Sequence, residues 1–215
     1  MRLVFDQDVR ASDDFMPELL QYYWVIPGRF AAGEYPGSVD EDEAVAKVAQ
    51  LIGEQIDYFI DLTQEHELLP YAHLLTSGAG APAAIVVTTA DAAANGSVAR
   101  CEHLRRSICD MNVPSREEMV VTLDAIDGAL CAGRKLYIHC WGGVGRTGTV
   151  VGCWFRRHGC SATEALARVA ALFGKLPKSA YRKSPETEAQ CAFVREWNEA
   201  GSGGDGDPVP QSIPT

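Results

Sequence analysis

Apolar positions recur at three- and four-residue intervals along much of this chain. From Ser38 to Gln55 acids crowd the first turn (Asp40, Glu41, Asp42, Glu43), and Val45, Val48, Ile52 and Ile56 fall on one face, which predicts a helix. Ser115 with Glu118 makes a capping box ahead of Met119, Leu123, Ile126 and Leu130, and Ser161 with Glu164 makes another for a helix reaching Phe173. Thr147 to His158 is apolar nearly all round and so predicts a buried helix. A last helix is expected from Ser184-Pro185, with proline at the favoured first position, to about Ala200.

Between these lie short apolar runs. Asp57 to Leu62 and Lys135 to His139 predict buried strands, and Tyr22 to Gly37 predicts short strands broken at Pro27-Gly28 and Pro36-Gly37. Tyr71 to Leu75 predicts a short helix and Ile85 to Thr89 a strand. Around the latter, residues 77–97 are rich in Gly, Ala and Ser and read as a surface excursion within one domain. Strands interspersed with capped helices indicate an α/β domain over residues 1–200, with 1–20 as a peripheral segment. Residues 201–215, rich in Gly, Pro and Ser, are expected to be a disordered tail.

Composition narrows the function. With 47% hydrophobic and 22% charged residues, the chain has the balance of a soluble globular protein. No apolar run is long enough to span a bilayer, and the acidic start, Met1 to Asp8, lacks a signal-peptide core, so the expected address is the cytoplasm. The net charge of −10 excludes general nucleic-acid binding, which needs a basic surface. It does not exclude an anionic substrate held by a few local groups. The seven cysteines are scattered, with no zinc-like spacing, so no metal site, cofactor or disulfide framework is expected.

The chemistry concentrates in His139 to Thr149. Gly142, Gly143 and Gly145 allow the chain to curl with φ > 0 and turn successive amides of Trp141 to Gly145 inward. A helix beginning near Arg146 points its positive end at the same spot. Such a cradle binds a tetrahedral dianion, and Arg146 adds a planar fork for two of its oxygens. Cys140 at its mouth sits where an anion is stabilised, which favours a nucleophilic thiolate and a phosphocysteine intermediate. Thr147 is placed to hydrogen-bond the sulfur as it departs. A leaving oxygen also needs a proton, and Asp110, in a proline-containing turn ahead of a capped helix, is the candidate acid.

These residues resemble the signature loop of the cysteine-dependent protein tyrosine phosphatases, in particular the compact dual-specificity-like branch. The resemblance covers roughly residues 22–198. It extends to the Asp-x-x-x-Pro element at Asp110, to Trp24-Val-Ile-Pro-Gly, to Phe59-Ile-Asp-Leu-Thr63 and to Ser184-Pro-Glu-Thr. It implies a central four- to five-stranded, mostly parallel sheet flanked by helices. It also implies two-step catalysis without metal, with Cys140 as nucleophile, Arg146 and the amides of Trp141, Gly142, Gly143, Val144 and Gly145 as phosphate binders, Thr147 assisting and Asp110 as acid then base. The implied substrate is a phosphorylated protein, phosphotyrosine above all, or a small phosphomonoester. Relatives often carry a proline before the isoleucine that precedes the acid, where this chain has Ser107.

Other positions carry blander readings. His139 is expected to orient the loop and not to transfer protons. Gln190 could position the hydrolytic water, as a glutamine does in some relatives, but it also falls on a helical pattern whose polar face is normally solvated. Glu65-His66-Glu67 reads as a solvated run. Three further functions compete: an inositol phosphate or phosphoinositide phosphatase, disfavoured by the absence of lysine from 141–145; a rhodanese-type sulfurtransferase, which would not need Arg146-Thr147 or Asp110; and a silent phosphate-binding module.

Overall fold

The computed structural model describes residues 19–75 and 101–199. Within them five strands form one sheet, β1 (Tyr22–Ile26), β2 (Phe30–Gly33), β3 (Tyr58–Asp61), β4 (Glu102–Arg105) and β5 (Leu136–His139), in the order β1-β2-β5-β3-β4. β1 and β2 are antiparallel across the Pro27-Gly28 turn, where Gly28 takes φ +66°. The other three pairings are parallel. Helices α1 (Glu41–Gly53), α2 (Arg116–Cys131), α3 (Gly145–Arg157), α4 (Ala162–Phe173) and α5 (Glu188–Glu196) flank the sheet, with short 3-10 turns at Ala72–Leu75 and Pro177–Ala180. This is the α/β domain that the sequence pattern predicts, with the mostly parallel sheet that the resemblance implies.

Strand alternation decides which helix each side chain meets. Ala31, Phe59 and Tyr137 pack with Val48 and Leu51 of α1, a layer that also takes in Leu20. Phe30, Ala32, Tyr58, Ile60, Leu136 and Ile138 pack on the other face, with Met119 and Leu123 of α2, Val151 of α3, Val169 of α4 and Val194 of α5. Because both faces are covered, β3 and β5 read in the sequence as unbroken apolar runs. The capping boxes at Ser115 and Ser161 both form, and α3 is buried from Gly145 to Phe155.

Two helix starts and one strand differ from expectation. α1 starts after Asp40, whose carboxylate accepts the amides of Asp42 and Glu43, while Ser38 donates instead to the Glu43 carboxylate (2.7 Å). α5 starts at Glu188 and not at Ser184-Pro185, because the Ser184 hydroxyl is committed to the Val144 carbonyl (2.7 Å) and Thr187 with Gln190 forms the capping box. β4 was not predicted. As the sheet's edge it pairs only with β3, and its half-exposed Glu-His-Leu-Arg lacks an apolar signature. The strand expected at Ile85 to Thr89, the excursion at 77–97 and the tail at 201–215 lie outside the described residues.

Register brings the functional ends together. Gly33 stands opposite His139, His139 opposite Asp61, and Asp61 opposite Arg105. The four parallel strands therefore end level, and the chain leaving each one enters a common rim, where ligand sites of α/β sheets form.

Candidate active site

The stretch after β5 turns sharply at Gly143, which has φ +67°. A Cβ there would lie 2.3 Å from the carbonyl carbon of Gly33 and 2.8 Å from the amide of Glu34, so the loop rests directly on the end of β2. Gly142 and Gly145, expected to share that left-handed conformation, do not take it. At Gly145 glycine leaves space, since a Cβ would meet the buried Gln190 carboxamide at 2.8 Å; at Gly142 a Cβ would meet only the end of the partly exposed Arg182 side chain, at 3.0 Å. The N-cap of α3, Val144, makes no side-chain cap, and the helix's bonding starts with the Gly148 amide on the Val144 carbonyl (3.2 Å). The amides ahead of it are thus outside the helix ladder, at its positive end. Cys140, 3% exposed, lies in this turn and contributes to a cleft of about 640 Å³, together with Trp141, Arg146, Asp110 and Gln190.

Arg146 is the buried hub of the site. Its two Nη atoms donate to the two carboxylate oxygens of Glu67 at 2.8 and 2.7 Å, and Nη1 also donates to the Ile108 carbonyl at 3.2 Å. Nη2 lies 3.0 Å from Oδ1 of Asp110. Burial opposes the guanidinium's charge, but Glu67, Cys140 and Asp110 together outweigh it and raise the Arg146 pKa. In return, the hydrogen bond from Arg146 lowers that of Glu67. Glu65 and His66 are solvated as expected, whereas Glu67 is not. A turn with His66 at φ +65° and the Gln64 amide on the Glu67 carboxylate (2.9 Å) swings this side chain back under the cleft. The sequence carried no pattern that separates Glu67 from Glu65.

Asp110 rides on a turn closed by the Asn112 amide on the Cys109 carbonyl (3.1 Å), with Met111 at φ +59°. The turn is held on both sides: Arg146 grips Ile108, and Nε2 of Gln190 donates to the Asn112 carbonyl (3.2 Å). Gln190 is wholly buried, with Oε1 accepting the Glu186 and Thr187 amides, so the solvated helix face expected for it is replaced by a capping and bridging position. Ser107, standing where relatives have proline, ties the approach to the turn by donating to the Thr63 carbonyl (3.0 Å).

Beneath the loop, His139 and Asp61 point to the same sheet face. The Tyr71 hydroxyl lies 2.6 Å from Nε2 of His139, and Nδ1 lies 3.3 Å from the Cys140 carbonyl. Burial holds the Tyr71 hydroxyl protonated, so it donates to Nε2 and leaves the Nδ1 proton for the loop carbonyl. Burial pushes His139 down to about 4, hence neutral near pH 7. Burial alone would raise the Asp61 carboxyl, but His103, His139 and Thr63 together hold it well below the usual range. The hydroxyl of Thr147 is buried and without a hydrogen-bond partner, whereas that of Thr149 returns to the Gly145 carbonyl (2.9 Å).

The mouth of the cleft is partly apolar: Val39, Leu69, Met111 and Trp141 line it and are exposed. Its outer cations are already matched, Lys47 by Glu43 and Arg182 by Glu186. Among the described residues no group of three or more His, Cys, Asp or Glu could hold a metal ion.

The family model described as "Tc-R-P: Polymorphic toxin system, DSP-PTPase phosphatase" matches residues 46–160, more than half of the chain. The chain belongs to this family. It is thereby a phosphatase of the cysteine-dependent protein tyrosine phosphatase superfamily, in its dual-specificity-like branch. Solved structures agree. Tk-PTP in its active form is 25% identical, with 79% of this chain and 90% of that one covered and a TM-score of 0.52. Human DUSP28 (15% identity, 83% and 93% covered, TM-score 0.53) and the core catalytic domain of the PP-IP phosphatase SIW14 from S. cerevisiae (13%, 84% and 86%, 0.54) share the fold. No curated protein matches the chain significantly.

Proposed function

We propose that this Tc-R-P phosphatase hydrolyses single phosphate monoesters on protein tyrosine, with phosphoserine and phosphothreonine as secondary substrates, by way of a phosphocysteine. The observation that carries the reading is the buried Arg146 fork at the foot of the cleft. Its end is filled by Glu67, while Asp110 sits on Nη2 at the side edge that a phosphoryl group would take. In the first step the Cys140 thiolate attacks phosphorus while the protonated Asp110 carboxyl gives its proton to the ester oxygen, releasing the alcohol. In the second, Asp110 takes a proton from water, whose oxygen attacks the phosphocysteine. Inorganic phosphate leaves, and the thiolate is restored with the Thr147 hydroxyl as hydrogen-bond donor. The amides of residues 141–145 and Arg146 hold the equatorial oxygens throughout. Gln190 serves this chemistry by holding the Asp110 turn, and His139 by holding the Cys140 carbonyl.

The mouth favours an aromatic ester over a polyphosphate. Val39, Leu69, Met111 and Trp141 offer apolar contact for a phenyl ring, and the paired state of Lys47 and Arg182 leaves little net charge for further phosphates. A reducing cytoplasm suits the seven unbridged cysteines, and no helix among the described residues is long and apolar enough to cross a membrane. The reaction calls for no cofactor. The test is hydrolysis of p-nitrophenyl phosphate in the presence of a chelator, inhibition by vanadate, and abolition of turnover by Cys140→Ser. A panel of phosphotyrosine, phosphoserine and phosphoinositide substrates sets the specificity, and a preference for the phosphoinositides would overturn the protein-substrate reading.

A further inference from the structure

Behind the phosphate loop lies a buried cation that the reaction above does not use. Lys178, in the 3-10 turn Pro177–Ala180, is 5% exposed, and lysine is almost never so buried unless paired. Its ammonium donates to the Gly142 carbonyl (3.1 Å) and to the Glu34 carboxylate. Glu34, the first residue after β2, is fixed in turn. Its other carboxylate oxygen accepts the Gln21 amide (2.9 Å), its carbonyl accepts the Tyr137 hydroxyl (2.6 Å), and its amide donates to the Gln21 carbonyl (3.2 Å). Beside it, the Tyr35 amide donates to the Trp141 carbonyl (2.8 Å).

Two successive loop carbonyls, those of Trp141 and Gly142, are therefore engaged by donors outside the loop. In a trans peptide the C=O and the following N–H point in opposite directions. Holding these carbonyls outward turns the amides of Gly142 and Gly143 toward the cleft. The Gly142–Gly143 peptide is flanked by glycine on both sides, so nothing in its own sterics prevents it from flipping.

We propose that Lys178, seated on Glu34, is a positioning residue that fixes this peptide so that the Gly143 amide faces the bound phosphoryl group. The inference rests on residues 140–146 being the phosphate cradle. Tyr35 does the same for the preceding peptide through its backbone, out of reach of mutation, whereas the lysine can be removed.

The experiment compares wild type, Lys178→Met and the double variant Glu34→Gln/Lys178→Met. It measures Tm, kcat and KM for p-nitrophenyl phosphate, and the inhibition constant of vanadate. Lys178→Met is expected to weaken vanadate by about tenfold, as loss of one charge-assisted hydrogen bond implies, and to lower kcat/KM by a similar factor. It also leaves Glu34 without its partner and so lowers Tm. In the double variant neither group is a stranded charge, so Tm returns toward wild type while vanadate stays weak. Unchanged vanadate inhibition in Lys178→Met, or its recovery together with Tm in the double variant, would overturn the proposal. So would failure of both variants to fold, which assigns the pair to stability alone. A wild-type protein with neither turnover nor vanadate inhibition would instead remove the phosphatase reading on which the proposal stands.

Discussion

Arg146 and Glu67 meet end to end, two nitrogens on two oxygens at 2.8 and 2.7 Å, across 79 residues of sequence. The pair fixes the plane of the guanidinium before any substrate arrives, and so chooses which edge remains for phosphate. Replacing Glu67 by Gln keeps the shape but removes the charge that matches a buried cation. Stability should fall by about 1–3 kcal/mol, the pair being partly exposed on the Glu67 side, and kcat/KM by about tenfold or more. Chemical denaturation and steady-state kinetics check both. An unaltered kcat/KM would mean that the fork is set by other contacts.

Asp110 occupies the edge of Arg146 that the substrate needs, so it has two effects that mutation separates. Asp110→Asn cannot give or take the proton, and kcat should drop by about a hundredfold or more. Vanadate should bind as well as before or better, because the amide competes less strongly for Nη2. A drop in vanadate affinity that matches the drop in kcat would place Asp110 in binding, with the acid elsewhere.

Glycine is required at 143 for two reasons and at 145 for one. Gly143→Ala must carry a Cβ in the left-handed region and against the backbone of Gly33, neither of which can yield. Gly145→Ala meets only the end of the Gln190 side chain. The first should abolish vanadate binding. The second should weaken turnover by shifting Gln190 and the Asn112 carbonyl that it holds. Equal effects would contradict this distinction.

His139 contributes a pH dependence of its own, at higher pH than the carboxylates Asp61, Glu67 and Asp127, whose pKa values are also lowered. Its folded pKa is depressed from 6.5 to about 4 by burial, so the unfolded chain takes up the proton first as pH falls. The stability it contributes is present above 6.5 and is lost between 6.5 and about 4, by up to about 3 kcal/mol. Urea melts from pH 7 to pH 4 and NMR titration of the imidazole test this. A His139 resonance titrating near 6.5 in the native protein would contradict it.

The loop, its strand and its helix were legible because local chemistry and spacing specify them: a Cys, an Arg-Thr and glycines between an apolar run and a buried helix. The capped helices were legible for the same reason. Glu67 was not, since the ion pair depends on a turn at His66 and on the level ends of parallel strands, neither of which has a local signal. Gln190 falls on a polar helix face that reads as solvated, because a helical pattern does not show the neighbours that cover it. With the cap at Thr187 its side chain turns inward. At Gly145 the reason for glycine is spatial and not conformational, because a sequence shows the missing Cβ but not the Gln190 carboxamide that fills its place.

The phosphocysteine is the intermediate on which every step depends. Protein mixed with an aryl phosphate, quenched in acid within one turnover and digested should carry a single phosphoryl group on the peptide containing Cys140, lost in Cys140→Ser and enriched in Asp110→Asn if water attack is slowed more than transfer. Turnover of the same substrate with no phosphoryl group on that peptide in either wild type or Asp110→Asn, or a group on another side chain, would contradict the account.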